Sequence, residues 1–273
     1  MRLVKGLLER CVEVTELMAD GAGPQRLSDI AQALDLPKSA AHRLLRELCA
    51  RGWTAQDGED GPYRLTLRFG LLGHRVLQGI GLVDLTQPLL QRLADRTKEL
   101  ARLTVATGDG LVWLGSAQGA PPGLVYQPAM DGALVLHATA NGKAFLATLD
   151  DAAALRLARD GGLGSRRPTP RTLTDGAALL ADLARVRACG YGVAEQEAEL
   201  GVTAVAVAIR GAGGAAVGTV SVAGPSLRLP KARIGELVAA LDETARGLAA
   251  VWPAGARQTV GRNGGDVTMT PLP

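Results

Sequence analysis

Apolar residues recur at spacings of three and four through Val4, Leu7, Leu8, Cys11, Thr15 and Met18, which predicts a first amphipathic helix ended by the turn residues DGAGP at 20–24. Leu27, Ile30, Ala31 and Leu34 repeat the spacing in a second short helix, with Ser28 and Asp29 near its start as capping oxygens. The segment DLPK then turns the chain into a third helix, LPKSAAHRLLREL. Ala41, Leu44, Leu45 and Leu48 form its apolar stripe, and Lys38, Ser39, His42, Arg43 and Arg46 fall on the opposite face. GWTAQ and YRLTL flank the polar DGEDGP and predict two strands around a turn, so three helices and a hairpin make a unit ending near Leu65.

Helical spacing continues through Leu67, Leu71, Leu72 and Val76 in a connecting helix, and a further helix is expected from Leu85 to Glu99. RLTVAT, GDG and LVWLGSAQ predict a hairpin, followed by the loop GAPPG. Three helical segments follow, in NGKAFLATL, AAALRLARD and DGAALLADLARVRACG. VTAVAVAIR and AAVGTVSVAG predict a second hairpin, and a helix from about Lys231 to Val251 closes the domain. Beyond Pro253 periodicity is lost and glycine and proline accumulate, which predicts a disordered tail.

The second hairpin has an unusual inner face. With GAGG as a four-residue loop, Arg210 pairs with Ala215 and Ala204 falls opposite Ser221. Alternation then gathers Ala204, Ala206, Ala208, Thr219, Ser221 and Ala223 on one face and Val205, Val207, Ile209, Val220 and Val222 on the other. The branched face suits packing against helices, and the small face leaves room for a ligand.

Length and composition bound the function. A chain of 273 residues accommodates two domains, and with 47% hydrophobic residues it has a globular composition whose apolar runs are too interrupted to span a bilayer. Charges at Lys5, Glu9, Arg10 and Glu13 break up any signal-peptide core, so a cytoplasmic, nucleoid-associated protein is expected. The three cysteines, Cys11, Cys49 and Cys189, and three scattered histidines have no zinc spacing; the thiols read as reduced, buried small hydrophobes, with neither metal nor cofactor. A net charge of +3 confines any nucleic-acid site to a local patch, and with only eight aromatic residues duplex DNA is a better partner than a single strand.

Two short helices joined by a tight turn, with a hairpin behind them, are the arrangement of a winged helix-turn-helix. From Leu36 to Gly52, Lys38, Arg43, Arg46 and Arg51 face Glu47 alone, so the third helix can enter a major groove with Arg on base edges and Lys, Ser or His on phosphates. The candidate DNA-binding set is Ser28, Pro37, Lys38, Ser39, Ala40, His42, Arg43 and Arg46, with Tyr63 and Arg64 from the wing. Enzyme signatures fail: GAGGAAVG lies between two strands, and ATANGKA lacks the first glycine and the hydroxyl of a phosphate loop. The alternating Glu195, Glu197 and Glu199 read as a solvated edge of the pocket. The reading is therefore no enzyme; the rival is a metabolite-processing enzyme with an accessory DNA-binding domain.

LSDIAQALDLPKSAAHRLLREL and YRLTLRFGLLG, with HATANGKAFLA, TLTDGAALLADLARVRACGYG and GTVSVAGPSLRL in the second half, resemble the isocitrate-lyase-regulator (IclR) family of bacterial transcription factors. The resemblance runs from about Val4 to Val251. It implies an α+β chain: a winged helix-turn-helix domain at 1–66, a linker helix at 67–82, and a GAF-like effector domain with a curved antiparallel sheet at 83–252, before a tail at 253–273. It also implies a homodimer or tetramer on palindromic operator DNA that responds to a small-molecule effector, as a repressor in many such proteins. The effector-binding set it suggests is Met130, His137, Thr139, Ala140, Asn141, Gly142, Ala194, Ala204, Ser221 and Ala223. Polar residues common in relatives that bind small carboxylates are replaced here by Ala194, Ala204 and Ala223, with Ser221 retained. A tiny anion needs several donors to offset its desolvation, so the effector is expected to be an organic acid or a larger, more apolar metabolite, and not a glyoxylate- or pyruvate-like ligand. Any carboxylate it carries would meet free amides near Asn141, Gly142 and Lys143.

Overall fold

A computed structural model describes residues 6–21, 23–108, 110–128 and 134–252; Val4, Met130 and the expected tail lie outside the described residues. The chain divides into two compact units, residues 1–79 and 80–273.

The first unit holds α1 (Leu7–Asp20), α2 (Leu27–Ala33), α3 (Lys38–Ala50), β1 (Thr54–Gln56), β2 (Tyr63–Leu65) and α4 (Leu67–Ile80). Its core is Val14, Met18, Ile30, Leu44, Leu45 and Tyr63. α1 turns Val14 and Met18 inward, flanked by Cys11 and Leu17, whereas Leu7 and Leu8 of the expected stripe are 63% and 79% exposed. Two overlapping stripes share the three–four spacing on this helix, and packing against α2 and α3 selects the one through Val14. The expected capping by Ser28 and Asp29 is also absent. α2 starts at Leu27 on Arg26 with no side-chain cap, so both residues lie inside its first turn, and the Ser28 hydroxyl donates to Asp29 Oδ1 at 3.0 Å.

α2 ends in a Schellman turn: Asp35 takes φ 50, the Leu36 N–H donates to Ala31 O at 2.8 Å, and the Asp35 N–H donates to Gln32 O at 3.2 Å. This turn sets the angle at which α3 leaves. The wing strands pair antiparallel, Thr54 with Leu65 and Gln56 with Tyr63. Tyr63 also bridges to Gln25 through reciprocal backbone bonds of 2.7 and 2.8 Å, which ties the wing to the α1–α2 connection. Arg68 at the start of α4 donates to Arg51 O at 2.6 Å and stacks 4.7 Å from the Trp53 ring. Leu67, Leu71, Leu72 and Val76 on α4 show the expected spacing and are all exposed in the single chain.

The second unit comprises α5 (Leu82–Thr97), β3 (Leu100–Thr107), β4 (Gly110–Gln118), α6 (Ala140–Leu146), α7 (Asp151–Asp160), α8 (Gly176–Cys189), β5 (Gly192–Glu195), β6 (Val202–Arg210), β7 (Ala216–Pro225) and α9 (Ile234–Val251). α5 begins three residues before the expected Leu85 and stops at Thr97, because Lys98 adopts φ 58 and returns its N–H to Ala94 O. The five strands form one antiparallel sheet in the order β4-β3-β7-β6-β5. Ala101, Leu103, Val205, Val207, Val220 and Val222 on one face pack with Leu90 and Leu93 of α5 and Leu237 and Leu241 of α9. On the other face Ala204 and Ala206 pack with Ala140 and Ala144 of α6.

The hairpin register differs from the counted one. Arg210 pairs with Ala216, Ala204 with Ala223, and Ala206 with Ser221. The loop has five residues, closed by the Gly211 N–H on Ala215 O at 3.0 Å with Gly214 at φ 77, and a bulge between Ile209 and Arg210 takes up one residue more. Each adds one position. Their sum is an even slip, so every residue keeps the face that alternation assigned it.

Candidate DNA interface and effector cavity

The basic face of α3 follows from its buried face. Pro37 is the N-cap, Ala41, Leu44 and Leu45 are buried against α1 and α2, and Lys38, Ser39, His42, Arg43 and Arg46 are consequently exposed together, with Ala40 half-buried. Among the described residues none of Lys38, Arg43 and Arg46 makes an ion pair, so their charge is available to an external anion. Ser28 is half-buried in the first turn of α2, and Arg64 is exposed on the wing, where its Nε lies 3.1 Å from Asp57 Oδ1. Tyr63 does not join them. Its side chain is only 2% exposed and fills the core between α1 and α3, because the wing strand closes that core from below.

In the second unit, a cavity of about 20 Å³ sits on the small-residue face of the sheet. Thr139, Ala140 and Asn141 at the start of α6 line it with Ala194, Ala204 and Ala223 from the sheet. Arg102, Tyr126, Ala198, Glu199 and Val202 complete the lining. Ser221 is fully buried on the same face, its hydroxyl without a partner among the described residues, and pairs across the β3–β7 ladder with Arg102. Next along the ladder, Thr104 and Thr219 hydroxyls lie 2.6 Å apart, and Asn141 Nδ2 donates to Thr219 Oγ1 at 2.9 Å.

Two expected positions are placed differently. His137 is fully buried away from the cavity lining, its Nε2 3.0 Å from Arg166 O, and burial holds its pKa below the usual value. Gly142 is packed so closely that a Cβ would lie 2.1 Å from Leu136 O. Two of the amides expected to be free there are engaged: Gly142 N–H donates to Thr139 Oγ1 at 3.1 Å and Lys143 N–H to Thr139 O at 3.0 Å.

Nor is the Glu195–Glu199 stretch a uniformly solvated edge. Glu195 and Glu199 are exposed, whereas Glu197 receives both of its carboxylate contacts, 2.6 and 2.7 Å, from Lys143 Nζ. Lys143 is 2% exposed, donates also to Val193 O at 3.3 Å, and has Asp182 Oδ2 at 2.9 Å, near enough for an ion pair though not aligned as a hydrogen bond. Burial pushes the Glu197 carboxyl up, and Lys143 only partly offsets it; at Asp182 burial is outweighed by Lys143 and Arg185, which hold its carboxyl below the usual range. Thr169 and Thr172 hydroxyls donate to the Gln196 and Glu197 carbonyls, so the segment beside the cavity is pinned from two sides. Cys189 is exposed on α8 and not buried, since it falls in the last turn beyond the inward Leu179, Leu183 and Val186; Cys11 and Cys49 are half-buried.

Of the lining residues outside the expected set, Arg102 carries the positive charge. The signal was present: in LARLTVAT alternation puts Arg102 on the face opposite Ala101 and Leu103, which is the face of Ser221 and Thr219. Among the described residues no group of three His, Cys, Asp or Glu side chains could hold a metal ion, and no helix is long and apolar enough to cross a membrane.

A winged helix-turn-helix with an unpaired basic face, and a separate sheet domain enclosing a small polar-rimmed cavity, define a one-component transcription regulator. Residues 7–58 match the IclR helix-turn-helix domain and residues 74–250 match the bacterial transcriptional regulator IclR C-terminal domain. The chain is 34% identical over 241 residues to the HTH-type transcriptional regulator BhcR of Paracoccus denitrificans, covering 88% of this chain and 85% of that one. It is 31% identical to the HTH-type transcriptional repressor AllR of Escherichia coli, with 85% of each covered. An IclR homolog from Microbacterium hydrocarbonoxydans, solved in complex with 4-hydroxybenzoate, superposes with a TM-score of 0.72 at 28% identity, covering 90% of this chain and 98% of that one. The regulator from Alicyclobacillus acidocaldarius gives 0.79 at 25% identity, with 92% and 100% covered. The chain belongs to the IclR family: it is a ligand-responsive, DNA-binding bacterial transcription regulator.

Proposed function

We propose that this regulator binds a palindromic operator as a homodimer or tetramer through α3, and that an organic acid with an apolar body, held on the alanine-rich face of the sheet, changes operator affinity. On this reading the functional segments are 1–66 for DNA, 67–82 as linker and 83–252 for the effector, with 253–273 as a tail. The observation that carries it is the basic face of α3, exposed and free of ion pairs beside a turn that fixes the helix's exit angle. Ser28, Pro37, Ser39, Ala40, His42 and Arg64 flank that face and form its phosphate-contacting rim. The 4-hydroxybenzoate found with the Microbacterium relative supports a ligand that joins a carboxylate to an apolar ring. Coupling is thermodynamic: the effector acts only through different affinities for the DNA-competent and incompetent arrangements, and DNA alters effector affinity by the same factor.

The two kinds of contact separate experimentally. Arg43→Ala is expected to cost about 1 to 3 kcal/mol on the operator and relax preference at one base position. Lys38→Ala is expected to weaken all duplexes alike and to reduce the salt slope by about one. Fluorescence anisotropy of both variants against operator and scrambled duplexes, over a salt series, checks this. Parental binding by both would reject α3 as the reader.

A further inference from the structure

The cavity face contains a cation whose in-plane donors are incompletely met. Arg102 is 8% exposed; its guanidinium lies 4.0 Å from the centre of the Trp113 ring and 6.0 Å from that of Tyr126. Stacking of that kind satisfies the faces of the guanidinium and does nothing for the N–H donors in its plane. Nε is buried with no acceptor, and no carboxylate of the described residues lies within ion-pair distance of the group. Tyr126 supplies one neutral hydroxyl, itself hydrogen-bonded to exposed Glu199, and burial pushes that phenol up to about 12, so it stays uncharged beside the cation. Directly across the ladder is Ser221, whose buried hydroxyl also lacks a partner among the described residues.

Arg102 and Ser221 project from the same face of neighbouring strands, and Arg102 lines the cavity. A buried charge without a counter-ion is costly, and a planar acceptor that uses the guanidinium fork removes much of the cost. We infer that Arg102, with Ser221 as second donor, is the charge anchor of the effector: it receives the ligand's carboxylate while the ligand's apolar body lies over Ala204 and Ala223. This rests on the cavity being the effector site. The floor that lacks polar groups at Ala194, Ala204 and Ala223 thereby has its anion-recognising group on the neighbouring strand β3. The enclosed space of about 20 Å³ admits little more than one water, so the ligand must displace the Tyr126 side chain from over Arg102.

The test uses the full chain with acetate, hexanoate, benzoate and 4-hydroxybenzoate, each paired with its amide, read by thermal shift and isothermal titration. At least one of the larger carboxylates should bind the parent protein about 10- to 100-fold more tightly than its amide. Arg102→Gln should abolish that discrimination without lowering the ligand-free melting temperature, Arg102→Lys should retain part of it, and Ser221→Ala should reduce it. If no carboxylate outbinds its amide, or Arg102→Gln keeps the preference, the anchor is wrong. Ala204→Leu distinguishes the two levels. Loss of binding there with preference intact in Arg102→Gln rejects the anchor and leaves the cavity as the site; carboxylate binding that survives both substitutions rejects the cavity, and the anchor with it.

Discussion

Lys143→Met should lower the stability of the full chain by about 3 to 5 kcal/mol at neutral pH, because it leaves two carboxylates facing each other around a dry position with no cation between them. Lys143 is the ion that holds α6, α8 and the Glu195–Glu199 segment together, through Asp182 at 2.9 Å and Glu197 at 2.6 Å. The sign of the pH dependence is fixed. In the parent, Lys143 pulls both carboxyls toward the ionised form; without it, burial and the neighbouring Asp182 hold Glu197 further above its unfolded value, while Asp182 keeps Arg185. Folding of the variant then takes up protons, so it regains stability as the pH falls toward the ordinary carboxylate range, and the gap to the parent narrows. Urea unfolding at a series of pH values measures this. A loss under about 1 kcal/mol, independent of pH, would mean that the three charges are solvated after all.

The second large effect concerns the sheet's two faces. Ala204 and Ala223 face each other across β6 and β7 on the cavity side, and the methyl at Ala204 is all that occupies its part of the lining. Ala204→Leu should therefore abolish the effector's influence on operator binding and leave ligand-free operator affinity intact, because the first domain has a core of its own. Val205, one residue on, is fully buried against α9. Val205→Ala should cost roughly 0.5 to 3 kcal/mol whether or not ligand is present. Titrations and melting curves of the two variants side by side check the contrast. Loss of effector response in Val205→Ala at full stability, with Ala204→Leu normal, would invert the assignment of faces.

Those faces were legible in the sequence although the pairing was not. Strict alternation through VTAVAVAIR and AAVGTVSVAG separates alanine from branched residues whatever the loop does, but loop length and the bulge near Arg210 depend on backbone conformation at Gly211–Gly214, which spacing does not encode. The basic face of α3 was legible for a similar reason: one apolar stripe on a short helix leaves a single alternative face. α1 has two competing stripes, and only the packed partners decide that Val14 is inside and Leu8 outside. Tyr63 looked like a wing contact because Tyr is amphipathic and lies beside Arg64; its burial comes from the Gln25 bridge, a long-range pairing of single residues. Lys143 and its two acids are separated by 39 and 54 positions, so no local pattern announces them. Arg102 was within reach of alternation, since a charged residue on the inner face of a strand otherwise rich in apolar neighbours is the informative exception.

Two copies of α3 should read one two-fold-symmetric duplex site. Affinity selection from a random duplex library, run with the parent and with Arg43→Ala and sequenced to completion, tests it most directly. The parent should enrich an imperfect palindrome whose half-sites are about one helical turn apart, or a multiple, and Arg43→Ala should lose preference at one symmetric pair of positions only. A short asymmetric consensus, or an Arg43→Ala consensus identical to the parent's, would contradict it.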